Sequence, residues 1–343
     1  AGNSVSFFAP SCMATPGLYA HVASRLKSTI LLSDYPALKG VCYNYQTNPS
    51  ATRNFVKRSE PSLQRVRWCL VDVPVIDPEF LGVLTDRWLK PLGNRDSKSV
   101  VAPMLTLSEH GGMVISTTDF LTPNGGFSEV LISKEALARN VIEFTTGEDA
   151  LAVSSFGYPV PDATVAIVDP DTRVLCASDK VGEIWIDAPS LSGGIWANYE
   201  ETERTFHAKC YDREGELTTS FLRTDLLGFL KEGKLYVLGT RADRLLNMVN
   251  NQKRYCYSKQ LLETLLRSVP EVYDACIFQI PRLSTRSSMV VNVVLLESPK
   301  APAAPLRQPV LLDNMAARTM QVLKDDHQFP VYACLLCSPG LAP

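Results

Sequence analysis

The stretches VGEIWIDAPSLSGGIWANYEETERTF at residues 181–206 and FLRTDLLGFLKEGKLYVLGTRADRLL at residues 221–246 decide the fold. In and just before them, short apolar runs alternate with turn residues, a pattern typical of short strands. The predicted strands cover residues 165–168, 183–186, 221–230 and 235–238. Glu232 and Gly233 separate the last two runs and favour a hairpin turn. This part of the chain is therefore expected to be mostly antiparallel sheet.

The upstream part has a different pattern, in which strands and helices alternate. The apolar run at residues 65–75 predicts a buried strand, and Asp77 followed by Pro78 is typical of a helix start. The apolar face behind this start consists of Phe80, Leu81, Leu84 and Trp88. Helical spacing also predicts a helix over residues 18–27. A strand followed directly by a helix implies an α/β layer.

Beyond residue 242 the pattern changes again, and it predicts a small α+β unit. Ser258 is a candidate helix cap, and the helix carries four leucines at helical spacing. The elements that follow are β-rich runs at 272–280 and 289–296, a helix around 312–323 and an apolar run from 331. We therefore divide the chain into residues 1–242 and 243–343.

Composition limits the class of protein. The chain has 343 residues and a net charge of -2, which argues against a broad electrostatic grip on nucleic acid but leaves room for a local basic patch. Nine scattered cysteines favour a reduced, cytoplasmic setting over a disulfide framework. No apolar run approaches the ~20 residues that span a bilayer. The chain begins on Ala1, and we expect it to be part of a longer protein.

General catalytic motifs do not identify the chemistry of this chain. Cys334 and Cys337 have CxxC spacing, but they lie in an apolar run without a second pair, so buried core thiols are expected. The sequence has no GxSxG, GxxxxGK[ST] or GxGxxG motif, and its four histidines lack metal-ligand spacing. These motifs alone leave the chemistry undetermined.

One resemblance is more specific. The stretch at 181–206 resembles a signature of the adenylate-forming superfamily, in particular of its fatty acyl-AMP ligase branch. Other matches are the ribose-binding strand at 221–229, the hinge motif at 239–246, the site of the aromatic-Gly-x-x-Glu motif at 105–109, and a branch-specific insertion at 131–141 followed by 153–157. The likeness is greatest to domains of the disco-interacting protein 2 family and its fungal relatives. It implies the later part of a large AMP-binding domain, with mixed sheet layers and an antiparallel β part, followed by a small α+β lid. Gly194 and Trp196 are expected to serve packing.

The resemblance also implies roles for individual residues. The family couples a carboxylic acid to ATP to give an acyl-adenylate and pyrophosphate, so ATP or AMP and Mg²⁺ are the implied cofactors. Glu109 matches the glutamate that helps to hold Mg²⁺, with a solvated surface glutamate as the alternative. Gly157 matches a site where the backbone passes the adenine, or else is an ordinary glycine at a strand end. Thr224 and Asp225 lie on the ribose-binding strand, and Asp243 matches the hinge residue.

Several positions depart from the family pattern. The family's ribose-binding Asp falls on Leu226, and Asp225 stands one position early, where a bulge would be needed to restore it. The hinge Arg falls on Thr240, with Arg241 displaced by one, and Leu105 replaces the aromatic that stacks on adenine. The family's phosphate loop and C-terminal Lys are expected to lie outside this chain. We therefore expect no useful rate of adenylate formation from the chain alone.

Two functions remain open. In the first, the chain belongs to an acyl-AMP-ligase-like module of a larger protein that activates a fatty acid and has fatty acid or acyl-adenylate and the remaining domains as partners. In the second, it is a catalytically degenerate scaffold that binds acyl chains, nucleotide or other proteins. The first requires Glu109, Gly157 and the strand bearing Thr224 to face one crevice. An Asp225 side chain that points to solvent or into the core favours the second.

Overall fold

The structure is a computed structural model that describes residues 4–7, 9–57, 59–73, 75–76, 78–110, 112–116, 128–147, 150–249, 252–272, 274–282, 289–297 and 309–337. Its helices are α1 Ser11–Ala14, α2 Leu18–Arg25, α3 Tyr35–Thr47, α4 Pro49–Arg53, α5 Pro78–Leu84, α6 Ser97–Val100, α7 Lys134–Ala138, α8 Tyr199–Phe206, α9 Ser258–Ser268 and α10 Pro309–His327. A π-helical turn at Thr85–Leu89 continues α5, and a 3-10 turn at Ser108–His110 follows the third strand.

Fifteen strands are formed by the described residues. They are β1 Ile30–Asp34, β2 Trp68–Asp72, β3 Val101–Leu107, β4 Gly112–Ser116, β5 Glu129–Ser133, β6 Ala150–Pro159, β7 Thr164–Val168, β8 Gly182–Asp187, β9 Leu222–Lys231, β10 Lys234–Thr240, β11 Arg244–Val249, β12 Gln252–Tyr257, β13 Asp274–Arg282, β14 Met289–Glu297 and β15 Ala333–Cys337. Ten of them make one sheet in the order β1-β2-β3-β4-β6-β10-β9-β8-β7, with β5 paired to β6.

The first three strands form the parallel part of this sheet, as the upstream pattern predicts. β1 pairs with β2 and β2 with β3, both in parallel. In β2 burial alternates along the strand, so that Cys69 and Val71 point into the core. The apolar face predicted from Phe80 to Trp88 is buried against this layer. The α/β layer is thus confirmed.

The strands β7 to β10 form the antiparallel part. β8 pairs with β7 and β9, and β9 pairs with β10, all in antiparallel fashion. Glu232 and Gly233 connect β9 to β10 with φ of 53° and 77°, the left-handed values that a tight hairpin turn needs. The predicted strands and hairpin are therefore confirmed.

The residues that follow build a smaller α+β layer with its own core. β11 pairs with β12, and β13, β14 and β15 form a three-stranded sheet in which β15 is parallel to β14. Helices α9 and α10 cover it, with Leu261, Leu265 and Leu323 fully buried. Ser258 is the first helical residue, and Tyr257 rather than Ser258 is the N-cap. We call residues 243–343 the C-terminal unit; the boundary itself remains a prediction.

Two packing expectations were wrong. Trp196 is 96% exposed, so its indole does not pack in the core, because the loop before α8 turns it outward. Cys334 and Cys337 are only half-buried, since β15 lies at the edge of its sheet among the described strands. Gly194 does serve packing: a Cβ there would lie 2.4 Å from a methyl carbon of Thr202. Within the described ranges, no helix is both long and apolar enough to cross a membrane.

Candidate functional site

A bulge in β9 determines which side chain faces outward where the ribose-binding carboxylate is predicted. Glu183 of β8 pairs with Leu227 but Trp185 pairs with Arg223, so extra residues of β9 loop out between these two pairs. At the bulge Asp225 has a φ of 62°, in the left-handed region that favours glycine. Its side chain is 65% exposed, whereas Leu226 is buried in the core. The bulge therefore brings Asp225, and not Leu226, to the surface.

A buried ion pair supports this bulge. Glu183 is 1% exposed, and its carboxylate accepts hydrogen bonds from Arg223 Nη2 at 2.6 Å and from Arg223 Nε at 3.2 Å. The Arg223 guanidinium also lies 5.3 Å from the ring centroid of Trp185. The backbone N–H of Asp225 donates to Glu183 at 3.4 Å. Charge-assisted hydrogen bonds of this kind hold a bulge in one geometry.

Arg241 joins this cluster from the turn after β10. Its backbone N–H donates to the Asp225 carbonyl at 2.8 Å. Its guanidinium nitrogens lie 3.8 Å from the Asp225 carboxylate and 3.9 Å from that of Glu183. Partial burial raises the pKa of Asp225, and Arg241 opposes this rise while Glu183 adds to it.

Asp243 anchors the same turn to the C-terminal unit. Its Oδ2 accepts hydrogen bonds from the backbone N–H and the hydroxyl of Thr240, both at 2.8 Å. Its Oδ1 accepts from the Ser258 hydroxyl at 3.0 Å, and the backbone N–H of Ser258 donates to the Asp243 carbonyl at 2.9 Å. Asp243 thus links the end of β10 to the start of α9. Its role as a hinge remains a prediction.

The structure brings together some of the predicted site residues and not others. Thr224, Asp225, Arg241 and Asp243 all lie at the β9 bulge and the adjoining turn, and the Thr224 hydroxyl donates to the Ile184 carbonyl at 2.6 Å. We call these four residues, with Glu183 and Arg223, the bulge cluster. Its exposed carboxylate can accept hydrogen bonds from ligand hydroxyls, and its guanidinium can bind an anion.

Glu109 and Gly157 lie on other elements. Glu109 is on the 3-10 turn after β3, where its carboxylate accepts from the Ser108 hydroxyl and its carbonyl from the Ser192 N–H. Gly157 has a φ of 86° in β6 and pairs with Leu235 at the far end of β10. Among the described residues, no hydrogen bond or ion pair joins either of them to the bulge cluster. The crevice that would unite all three regions stays a prediction.

Sequence reasoning missed two members of this network. Glu183 was treated only as one residue of a family signature. An acidic residue that precedes the apolar residues 184–186 of a buried strand, however, indicates a buried cationic partner. The partner, Arg223, lies 40 residues away in sequence, which a local pattern cannot reveal. Ser258 was read as a helix cap, but its hydroxyl serves Asp243 instead.

Comparison with known proteins adds a family likeness. The description "Meiotically up-regulated gene 62 protein-like domain" matches residues 239–343. The chain is 40% identical to the "Uncharacterized protein C56F8.02" of Schizosaccharomyces pombe, over 96% of this chain and 24% of that protein. It is 29% identical to the "Homeostatic regulator of DAG" of Saccharomyces cerevisiae, over 76% of this chain and 19% of that one. The chain thus spans about a quarter or less of these relatives.

Ligases of fatty acids are also among the relatives. A medium-chain-fatty-acid–[acyl-carrier-protein] ligase of Moorena producens is 29% identical over 62% of this chain and 34% of its own length. A crystal structure of the fatty acid AMP ligase from Legionella pneumophila matches with a TM-score of 0.57 and 21% identity. That match covers 97% of this chain and 53% of the ligase, and it shows a common fold.

Proposed function

Because the chain belongs to the adenylate-forming superfamily, on its fatty acyl-AMP ligase side, we propose that it forms the later part of a module that binds a fatty acyl-adenylate. In the intact protein this module activates a fatty acid with ATP and serves lipid metabolism. The relatives support the lipid context, since one is named a fatty-acid ligase and another a regulator of DAG. The cytoplasm is the proposed location.

The observation that carries this proposal is the pair of Asp225 and Arg241 at the β9 bulge, which places a carboxylate and a guanidinium side by side at the surface; exposure of Asp225 alone would favour the scaffold. A side chain one position early on a regular strand would point to the wrong face. Here the register shift turns Asp225 outward, with the Arg241 guanidinium 3.8 Å away. We propose that the carboxylate accepts hydrogen bonds from the two ribose hydroxyls and that Arg241 draws the phosphate side of the ligand toward the cluster.

Mg²⁺ enters the proposal only together with ATP. Within the described ranges, no three acidic, His or Cys side chains are grouped as a metal site. Glu109 offers one half-exposed carboxylate, and Mg²⁺ bound through substrate phosphates needs only one or two. Glu109 therefore fits as a single ligand, and the metal would supply charge neutralisation at the phosphates.

Calorimetry of the intact protein tests binding. We expect a non-hydrolysable acyl-adenylate mimic to give a saturable heat, and Asp225→Asn to weaken its affinity about tenfold, the loss of a charge-assisted hydrogen bond. Asp171→Asn is the matched control, because Asp171 is a second exposed acid beside Arg241: its side chain is 81% exposed and its carboxylate lies 3.9 Å from the Arg241 guanidinium. Its substitution should leave the affinity unchanged. If no nucleotide-dependent heat were measured, the proposed binding of an acyl-adenylate would be wrong.

The chain by itself is expected to make little acyl-adenylate. Thr240 stands at the position of the family's hinge Arg, and it is held by Asp243 rather than carrying a cationic side chain. Loss of one preorganised donor or charge costs about a hundredfold or more in rate. Pyrophosphate exchange measured on this chain should stay near background, and exchange at the rate of a complete acyl-AMP ligase would contradict this expectation.

The second candidate is a scaffold without chemistry, and two observations favour it. Asp225 faces solvent, and no described contact links it to Glu109. In that case the bulge cluster serves only to fix β9 against the turn. The two candidates differ in pyrophosphate exchange by the intact protein, because a scaffold without chemistry does not catalyse it even where it still binds nucleotide or an acyl chain.

A further inference from the structure

An open groove lies where the three parallel strands begin. Its lining consists of Thr29, Gln64, Arg65, Val66, Arg67, Asn94, Asp96, Ser99 and Val100. Thr29, Arg67 and Val100 immediately precede the strands β1, β2 and β3, whereas Glu109 follows the end of β3. The volume of the groove is about 530 Å³, within the ~300–1,000 Å³ of small-molecule sites. It is therefore a second candidate site, apart from the residues of the proposed adenylate site.

A buried asparagine connects the two walls of this groove. Asn94 is 2% exposed, and its Nδ2 donates to the carbonyls of Leu63 at 3.1 Å and Val66 at 2.9 Å. Its Oδ1 accepts from the backbone N–H of Asp96 at 3.1 Å. The amide thus ties residues 63–67 to the loop before α6, and the groove is formed before any ligand binds.

Two arginines of the lining have no partner within the described protein. Arg65 and Arg67 are exposed, and the buried Val66 between them turns both side chains away from the core. The backbone N–H of Arg67 donates to the Thr29 carbonyl at 2.8 Å, which fixes the point from which its side chain extends. Among the described residues, neither guanidinium makes a hydrogen bond or an ion pair. Their donors are available to a ligand.

The groove is positively charged, although the whole chain has a net charge of -2. Arg95 lies between two lining residues in sequence and Lys98 beside a third, and both are exposed. Asp96 is the acid of the lining, and its carboxylate makes no ion pair with any residue that the structure describes. Four basic residues against one acid make this groove a local basic patch, which suits an anion.

The number of charges and donors favours a phosphate monoester over a carboxylate. A guanidinium binds two oxygens of either group through parallel N–H donors. A carboxylate has two oxygens and one charge, which one arginine already satisfies. A phosphate monoester carries about -1.5 to -2 at neutral pH and has three acceptor oxygens, so it can engage two arginines. The groove is also larger than a phosphate group, which leaves room for the organic part of the ligand.

We propose that this groove binds a small phosphate monoester. Arg65 and Arg67 bind the phosphate oxygens, and Arg95 and Lys98 attract the anion from the rim. Asp96 accepts a hydrogen bond from a hydroxyl of the organic part. The phosphate belongs either to a soluble metabolite or to a lipid headgroup, since both present the same group.

Calorimetry of the intact protein with methyl phosphate is the first test, at about pH 8, where this monoester carries two negative charges. Dimethyl phosphate is the matched probe, because it has the same phosphate core with one charge. At low ionic strength, where exposed charges are least screened, we expect saturable heat with methyl phosphate. The dissociation constant should be at least about tenfold higher for dimethyl phosphate. Equal affinities, or no saturable heat, would overturn the proposal.

Variants give the second test. Arg65→Gln and Arg67→Gln should each raise the dissociation constant for methyl phosphate about tenfold, the loss of charge-assisted hydrogen bonds. Arg139→Gln is the matched control, because Arg139 is exposed, pairs with no described acid and does not line the groove. Its substitution should leave the affinity unchanged. Equal effects of all three would mean that phosphate responds to net charge alone, and this would overturn the proposal.

Melting curves without ligand separate a binding role from a structural one. Exposed side chains without partners contribute little to stability, so Arg65→Gln/Arg67→Gln should keep the melting temperature within about 1–2 °C of the wild type. If it falls further, Arg65→Lys/Arg67→Lys decides, since lysine retains both charges but not the planar fork. This variant should regain part of the affinity. Binding no better than that of the double Gln variant would overturn the proposal.

Arg241→Met distinguishes this site from the bulge cluster, whose guanidinium it removes. The affinity for methyl phosphate should not change in this variant. If the heat disappeared instead, the phosphate would bind at the proposed adenylate site and the groove would not be a site, so the two proposals can fail separately.

Sedimentation with phosphatidylcholine vesicles, with and without phosphatidate, identifies the source of the phosphate. Phosphatidate-dependent sedimentation of the wild type but not of Arg65→Gln/Arg67→Gln assigns a lipid headgroup. No sedimentation, with methyl phosphate still bound, assigns a soluble monoester. Saturable binding of single-stranded RNA without any heat from methyl phosphate would overturn the proposal in favour of a nucleic acid.

Discussion

Two regions around β8 and β9 differ in how closely they are packed: the close glycine contacts of Gly182 and Gly228, which we call the strand framework, and the exposed part of the bulge cluster, Asp225 and Arg241. In the framework, a Cβ on Gly228 would lie 2.1 Å from the Tyr236 carbonyl, and one on Gly182 would lie 2.8 Å from the Val168 carbonyl. In the bulge cluster, the side chains of Asp225 and Arg241 are 65% and 37% exposed, so little protein packs against them. Packing therefore constrains the framework glycines more tightly than the exposed side chains of the bulge cluster.

The largest effect is expected in the framework. Gly228→Ala places a methyl group against a backbone oxygen of the neighbouring strand, in the middle of the β9–β10 pairing. Since neither strand can move without breaking the sheet, the free energy of unfolding should fall by ~3 kcal/mol or more. Urea unfolding, or loss of soluble protein on expression, measures this.

A glycine in open space provides the control for that substitution. Gly40 lies in α3 with nothing within 4 Å of its Cβ position. Gly40→Ala should raise the free energy of unfolding by ~0.5–1 kcal/mol, because alanine is the better helix former. If Gly228→Ala were as mild, the close approach of β9 and β10 would not be the constraint we describe.

The second effect concerns the buried part of the bulge cluster. Arg223→Met removes the cation that pairs with Glu183, which is 1% exposed. The buried carboxylate then keeps only the partly exposed Arg241 guanidinium at 3.9 Å, so the free energy of unfolding should fall by ~3 kcal/mol. Denaturant titration measures this loss, and the double variant Glu183→Gln/Arg223→Met should recover part of it because no charge then stays buried.

Arg241→Met is the matched substitution in the exposed part of the cluster. Its guanidinium lies 3.8–3.9 Å from its acidic neighbours and is 37% exposed. Its loss should change the free energy of unfolding by less than ~1 kcal/mol. If Arg223→Met and Arg241→Met lowered the free energy of unfolding equally, burial would not distinguish the two parts of the bulge cluster.

The third effect separates backbone strain from charge at Asp225. Asp225→Gly should raise the free energy of unfolding by ~0.5–1 kcal/mol, since glycine adopts a φ of 62° without steric cost. Thermal unfolding checks this. A loss of stability would show that the side-chain contacts of Asp225 outweigh the strain.

Asp225→Asn tests the charge, because asparagine also tolerates the left-handed region. The raised pKa of Asp225 means that the folded state binds its proton more tightly than the unfolded state does. This contribution to stability is present below the unfolded pKa and is lost as pH rises through the folded pKa. As pH rises above the ordinary pKa of an aspartate, the free energy of unfolding of the wild type should therefore fall relative to that of Asp225→Asn. A flat difference in urea unfolding across that range would contradict it.

Much of the fold was predictable, because local patterns determine it. Alternating apolar runs and the pair Glu232-Gly233 predict the β9–β10 hairpin, and helical spacing predicts α9 and α5. The order of strands in the sheet could not be predicted: β4 and β6 join the parallel part to the antiparallel part, and β5 pairs with β6 beside that path. Trp196 was misjudged because an aromatic residue in a signature is read as packing, whereas its exposure depends on where the loop turns.

The site was less predictable, because it depends on contacts that are distant in sequence. The resemblance identified Asp225 as displaced, but only the pairing of β8 with β9 shows how the bulge turns it outward. The ion pair between Glu183 and Arg223 has no local signal. Residues that meet across 40 or more positions are beyond pattern reading.

The smallest effect is expected where an exposed ion pair links α7 to the C-terminal unit. Glu135 is 57% exposed and pairs with Arg254 of β12. Water and the entropy of two long side chains offset most of the attraction, so Glu135→Gln should lower the free energy of unfolding by only ~0.3–0.5 kcal/mol. Raising the salt concentration should shrink this difference further, since salt screens exposed charges but reaches the buried Glu183–Arg223 pair much less. Unfolding of Glu135→Gln and Arg223→Met at low and high salt measures both differences. Glu135→Gln could instead lower the free energy of unfolding as much as Arg223→Met does, or its effect could persist at high salt. Either result would show that burial does not determine which polar contacts stabilise this protein most.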